Sequence, residues 1–182
     1  MTTKEKILAS ALKLFAKQGI DKTSTAQITK DVGIASGTLF VHFKTKQDLV
    51  NSLYKGIKEK LLSGINAFVK EDDCESSNIK ISIKHMMEYF LKNYESLKFI
   101  ELTELGAHVS KDVREEIEKK YSFVYNGFEN LKNQGELKDI ELEILQDIVW
   151  QNMQTIVRQH KNKKLKSIDD IYVDVVWDSI KK

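Results

Sequence analysis

Proline is absent from all 182 positions and glycine occurs only eight times. Those two residues set the sharp corners of strand-and-turn folds, so a chain without the one and short of the other is poorly equipped for them. Helices joined by short polar loops are easily written instead. An apolar content of 41% suffices for one sizeable core, or for a small module that shares a helix with a larger one. The fold class is therefore all-α, in at most two domains.

Helix starts can be read from caps. Thr2-x-x-Glu5, Ser24-x-x-Gln27 and Thr45-x-x-Asp48 each place a hydroxyl before a helical run and a side-chain acceptor three residues on, the reciprocal pattern that satisfies the first orphan amides. Behind Thr2, Ile7, Leu8, Ala11, Leu14 and Phe15 recur at helical spacing until Gly19. A second helix follows Ser24 with Ile28 and Val32 inward, Gly33 breaks it, and a third begins near Ser36 with Leu39, Phe40 and Phe43 as its apolar contacts. From Thr45 a long fourth helix carries Leu49, Val50, Leu53, Ile57, Leu61, Ile65 and Phe68 along one stripe. After a polar loop from Glu71 to Asn78, the spacing predicts a fifth helix around Ile83 to Tyr94, a sixth from Leu97 to Val109 and a seventh from Val113 to Lys132. An eighth runs around Leu142 to Ile156 and a ninth around Ile168 to Ile180. About nine helices result, arranged as a three-helix head over 1–46 and a body over 47–182, with the fourth helix linking them.

Charge divides the chain in the same place. Residues 1–46 hold eight lysines against three acids, a net of +5, which leaves −3 for residues 47–182. A basic head on an acidic body points to a polyanionic partner for the head. No apolar run reaches the roughly 20 residues that span a bilayer, and the start MTTKEKIL lacks the layout of a secretory signal. A soluble, cytoplasmic protein is expected. Cys74, the single cysteine, fits a reducing compartment and reads as an incidental loop thiol. His42, His85, His108 and His160 show no metal-ligand spacing. No phosphate-cradling glycine loop or nucleophile constellation appears either, so neither metal, cofactor nor enzymatic activity is expected.

Residues 25–46, TAQITKDVGIASGTLFVHFKTK, have the lengths of a helix, a glycine turn and a second helix that would lie in the major groove. Gly33 suits the turn because it takes positive φ without strain, and Gly37 would let backbone approach backbone. The order Phe15, Gly19, Thr25, Ile28, Val32, Gly33, then Gly37-Thr38-Leu39-Phe40, His42-Phe43, Lys46 and Leu49 resembles the DNA-binding signature of the TetR family over about the first fifty residues. That resemblance implies an all-helical, dimeric, usually repressive regulator. Its DNA contacts would come from Thr25, Ser36, Gly37, Thr38, Phe40, Val41, His42 and Lys46, with Thr25, His42 and Lys46 on phosphates. The physics agrees, since hydroxyls and lysines serve phosphate oxygens. The alternative for His42 is a structural ring packed against the first helix.

Three positions depart from the signature. Ala35 stands where the family has a capping serine, Phe40 where it has tyrosine, and Val41 where an aromatic is frequent. Both arginines, Arg114 and Arg158, lie outside the head, so the bidentate guanine fork is missing there. Base discrimination is left to Ser36, Thr38 and methyl contacts from Val41, which favours A·T-rich operators.

The resemblance also implies a small-molecule effector held among the body's helices. Met86, Met87, Phe90, Phe99, Leu102, Phe123, Trp150 and Met153 could line an adaptable apolar pocket, with core packing as the rival for each. Glu101, one helical step from Glu104, would suit a cationic ligand if turned inward. The run from Phe99 to Glu104 is similar to the multidrug-binding QacR branch. Surplus apolar residues of the last two helices, Leu145, Val149, Met153 and Ile156 with Ile171, Tyr172, Val175 and Ile180, suggest a two-fold homodimer on a palindromic operator. The most consistent reading is a repressor released from DNA by a hydrophobic or cationic effector. An architectural or cell-cycle protein on the same fold, whose body binds a protein partner, is the alternative.

Overall fold

The computed structural model of the chain describes residues 1–67, 76–104, 106–164 and 166–182. Phe68 and Cys74 lie outside the described residues. The predicted polar loop is described only from Ser76, where a helix has already begun. Ten helices stand among the described residues: α1 (Thr3–Gln18), α2 (Thr25–Val32), α3 (Ser36–His42), α4 (Lys46–Asn66), α5 (Ser76–Lys92), α6 (Tyr94–Glu104), α7 (Lys111–Lys120), α8 (Ser122–Asn133), α9 (Leu142–Asn162) and α10 (Asp170–Asp178). The protein is all-α, and the described residues contain no strand, only an isolated bridge between Leu137 and Lys181.

All three expected caps form. Thr2 with Glu5 and Ser24 with Gln27 make reciprocal capping boxes on α1 and α2. At α4 the Thr45 amide donates to Asp48 Oδ2 and the Asp48 amide to Thr45 Oγ1, each over 3.0 Å. Such caps stabilise a helix start by about 1 kcal/mol each.

The chain forms two compact units, one of residues 1–58 with 95–117, the other of 59–94 with 118–182. The division falls inside α4 and α7 and after Tyr94, the first residue of α6. In the first unit α1, α2 and α3 pack on one another around buried Ile7, Ala11, Phe15, Ile28, Leu39 and Phe43. In the second, α5 packs on α9 and α10, and α9 on α10. Phe90 meets Trp150 edge-on at 5.7 Å, and ion pairs Lys80–Asp174 (2.8 Å) and Lys84–Asp170 (2.6 Å) fasten α5 to α10.

The sequence expectations need correction in three places. The predicted sixth helix stops at Glu104, five residues early, because the Arg114 guanidinium takes the carbonyls of Thr103 (2.7 Å) and Gly106 (3.2 Å) that a continuing helix would have used. The predicted seventh helix is two. At Tyr121 the backbone turns to φ −93° and ψ 1°, and its amide reaches back three residues to Glu118 rather than four. That tightened turn breaks the helix without glycine or proline. Finally, Leu145, Val149, Met153 and Ile180 are buried within the protomer's own core. The apolar residues that α9 and α10 leave outward are Ile144, Ile171 and Val175, exposed by 47%, 67% and 55%.

Candidate nucleic-acid interface

The helix-turn-helix is set by a few local decisions. Ser24 caps α2 and leaves Thr25 as its first residue, half-buried. Gly33 ends the helix in the left-handed region at φ 75° and ψ 38°, and its amide and that of Ile34 both bond the Thr29 carbonyl at 3.0 Å. Three residues later α3 begins at Ser36. Ala35 supplies no side-chain cap, the departure expected from its missing hydroxyl. The rotation of α3 is fixed by buried Leu39 and, just beyond its end, buried Phe43.

That rotation leaves Ser36, Gly37, Phe40, Val41 and His42 exposed and Thr38 half-buried. Phe40, expected beside Leu39 and Phe43 as an apolar contact of the third helix, is instead 47% exposed because it lies about 100° round the helix from Leu39, and Val41 is 83% exposed. His42 is solvent-facing, its ring 6.5 Å from that of Phe43, so it does not pack as a buried structural histidine. A Cβ added at Gly37 would meet nothing within 4 Å. No close approach within the chain therefore requires that glycine, contrary to the expectation from sequence. Lys46 opens α4 half-buried, its ammonium donating to the Ile20 carbonyl at 2.5 Å, which ties the start of α4 to the loop after α1. Lys44, exposed two residues after the end of α3, is a further cation of this stretch that the signature does not include.

α6 belongs to the same compact unit as the head, which the sequence did not reveal. Phe99 is fully buried and stacks on Phe15, centroids 6.0 Å apart. Along α4, Gln47 donates to the His108 carbonyl, Asn51 exchanges two hydrogen bonds with Ser110 (2.9 and 3.1 Å), and Lys55 pairs with Glu116 at 2.6 Å. Nearby, Tyr54 has Lys58 Nζ 5.6 Å and the Arg114 guanidinium 6.0 Å from its ring centre. Burial pushes the Lys58 ammonium below the usual lysine range, the Glu104 carboxylate opposes that shift, and Arg114 adds to it.

The expected ligand-binding residues divide between the two units. Phe99, Glu101 and Leu102 fall in the first, with Phe99 committed to Phe15 and the other two half-buried. Met86, Met87, Phe90, Phe123, Trp150 and Met153 fall in the second, where Met87, Phe90 and Met153 are buried. Among the described residues no cluster of three metal-ligating side chains occurs, and no helix is long and apolar enough to cross a membrane.

A capped helix, a left-handed glycine turn and a second helix whose outward face is exposed define a helix-turn-helix DNA-binding protein. Residues 7–53 match "Bacterial regulatory proteins, tetR family" and residues 59–182 match "Tetracyclin repressor-like, C-terminal domain". The chain belongs to the TetR family of transcription regulators. It is 33% identical over 101 residues to an HTH-type transcriptional regulator of Staphylococcus aureus strain USA300, across 54% of this chain and 53% of that protein. The chain spans between a quarter and about half the length of the curated relatives it matches. A crystal structure from Shewanella sp. PV-4, described as a tetR-family transcription regulator, superposes with a TM-score of 0.82 at 25% identity over the whole of both chains. The transcriptional regulator FadR of Bacillus subtilis, solved with stearoyl-CoA, shares the fold at a TM-score of 0.69 and 16% identity, across 96% of this chain and 95% of that one. These proteins are transcription regulators, not enzymes.

Proposed function

We propose that this regulator is a cytoplasmic homodimeric repressor, released from a palindromic operator by a small hydrophobic effector. The observation that carries the reading is the exposed face of α3, where Phe40 and Val41 stand in solvent while Leu39 and Phe43 hold the helix from behind. In this reading α3 enters the major groove with Ser36, Gly37, Thr38, Phe40 and Val41 near base edges, while Thr25, His42 and Lys46 contact phosphates. Functionally the head is residues 1–46 and the body 47–182, with α4 common to both. Exposed Ile144, Ile171 and Val175 supply the apolar surface for a two-fold pairing of α9 and α10.

For the effector, the aromatic and methionine group of α5 and α9, Met87, Phe90, Trp150 and Met153, supports an apolar ligand. That FadR of Bacillus subtilis was solved in complex with stearoyl-CoA supports this reading. A cationic ligand has less support, because Glu104 already lies in the field of the Lys58 ammonium. Reciprocity tests the whole. An effector that releases DNA must bind the DNA-free protein more tightly by the same factor. An operator is first enriched from random duplexes, and a hydrophobic compound that binds the free protein is then titrated into free protein and into protein saturated with that operator. Weaker binding in the second titration is expected. Equal dissociation constants would overturn the ligand-release reading and favour a body that binds a protein partner.

A further inference from the structure

We propose that Val41 reads the 5-methyl group of a thymine in each operator half-site, with Gly37 leaving the room for the base edge to reach it. The inference deepens the operator reading above and rests on it.

Successive helical residues are about 100° apart, so Val41 lies about 200° from Leu39, nearly opposite the buried residue that anchors α3. One turn earlier on the same face is Gly37, over which a Cβ would meet nothing within 4 Å. The centre of the outward face is thus an isopropyl group, 83% exposed, beside a bare stretch of backbone. Such an isopropyl gains only by meeting another apolar group. Among the base edges of the major groove the thymine methyl is the one apolar group. α3 contains no arginine, asparagine or glutamine, the side chains that make the bidentate contacts to guanine and adenine. Phe40, a quarter turn away and 47% exposed, extends the same apolar surface.

Removal of one buried methyl contact corresponds to about a fourfold loss of affinity, and the two half-sites of a dimer together to about fifteenfold. The test starts from the duplex that the full chain enriches from a random pool. Each symmetric pair of thymines is replaced in turn by deoxyuridine, which removes the two methyls and keeps the base pairs, and affinity is read by fluorescence anisotropy. One symmetric pair of thymines should show the roughly fifteenfold loss with the wild type. With Val41→Ala, whose exposed site leaves folding intact, thymine and uracil duplexes at that position should bind alike. The proposal is overturned if no uracil position weakens the wild type, or if Val41→Ala keeps the full penalty. A protein that enriches no sequence overturns the operator reading itself, a result distinct from an enriched operator indifferent to uracil.

Discussion

Replacement of Gly37 by alanine should make the protein more stable and a poorer binder of DNA at once. The backbone at Gly37 is helical, outside the positive-φ glycines of the chain, and the added Cβ would meet nothing within 4 Å. Neither strain nor clash opposes the change, so the intrinsic preference for alanine over glycine in a helix acts alone and is worth up to about 1 kcal/mol. Urea unfolding should show a higher midpoint at an unchanged slope. If the groove floor occupies the space over Gly37, the same methyl intrudes on it, and operator affinity should fall on the order of tenfold, about 1.4 kcal/mol. Gly33→Ala is the control of opposite sign. Its Cβ would also meet nothing, but φ is +75°, so alanine there costs about 1–2 kcal/mol through conformation alone. A Gly37→Ala protein that gained stability and still bound operator like the wild type would refute the placement of DNA over this residue.

Phe99→Ala should cost about 3–5 kcal/mol, because the ring is fully buried against Phe15; a loss under 1 kcal/mol in urea unfolding would contradict the stacking. Lys46→Ala should weaken binding to all sequences about equally and lower the salt slope by about one phosphate. It should also cost about 1 kcal/mol of stability through the Ile20 carbonyl it leaves, and an unchanged salt slope would contradict the phosphate role. Lys58→Met should change how stability depends on pH in the alkaline range. The folded state holds the Lys58 pKa below 10.5, so the unfolded chain binds more protons in the window between the folded value and 10.5, and wild-type stability climbs there as pH rises. The variant should lack that climb, and parallel stability curves for the two proteins would contradict the shift. Ile171→Asp with Val175→Asp should give monomers in sedimentation at micromolar concentration, and a persisting dimer would place the interface elsewhere.

What was legible in the sequence was local. Thr2, Ser24 and Thr45 announced their helices because a cap needs only the residue three places on, and Gly33 announced the turn because its conformation excludes most other residues. Phe15, Ile28, Leu39 and Phe43 followed from helical spacing. The sequence could not tell which partner an apolar face meets. Leu145, Val149 and Met153 have the same periodicity whether α5 of the same chain or a second copy covers them, and the structure assigns them to the protomer core. The stacking of Phe99 on Phe15 joins positions 84 residues apart in the sequence, and nothing local at either position records it. Nor does any turn residue mark the break at Tyr121, where the backbone alone tightens. For the operator face, residue types and order were readable, but the emptiness around Gly37 and the exposure of Val41 needed the packing of α3.

The contacts of 95–117 with the head bear on how such regulators can be recombined. To graft this DNA specificity onto another sensor, a natural cut would be after the helix-turn-helix. Such a fragment would carry Phe15 without the ring that covers it, and a cut inside α4 would leave Asn51 facing a foreign residue in place of Ser110. A chimera that keeps these contacts has to transplant two separate stretches of sequence, 1–58 and 95–117, a part of this protein that is discontinuous in its gene.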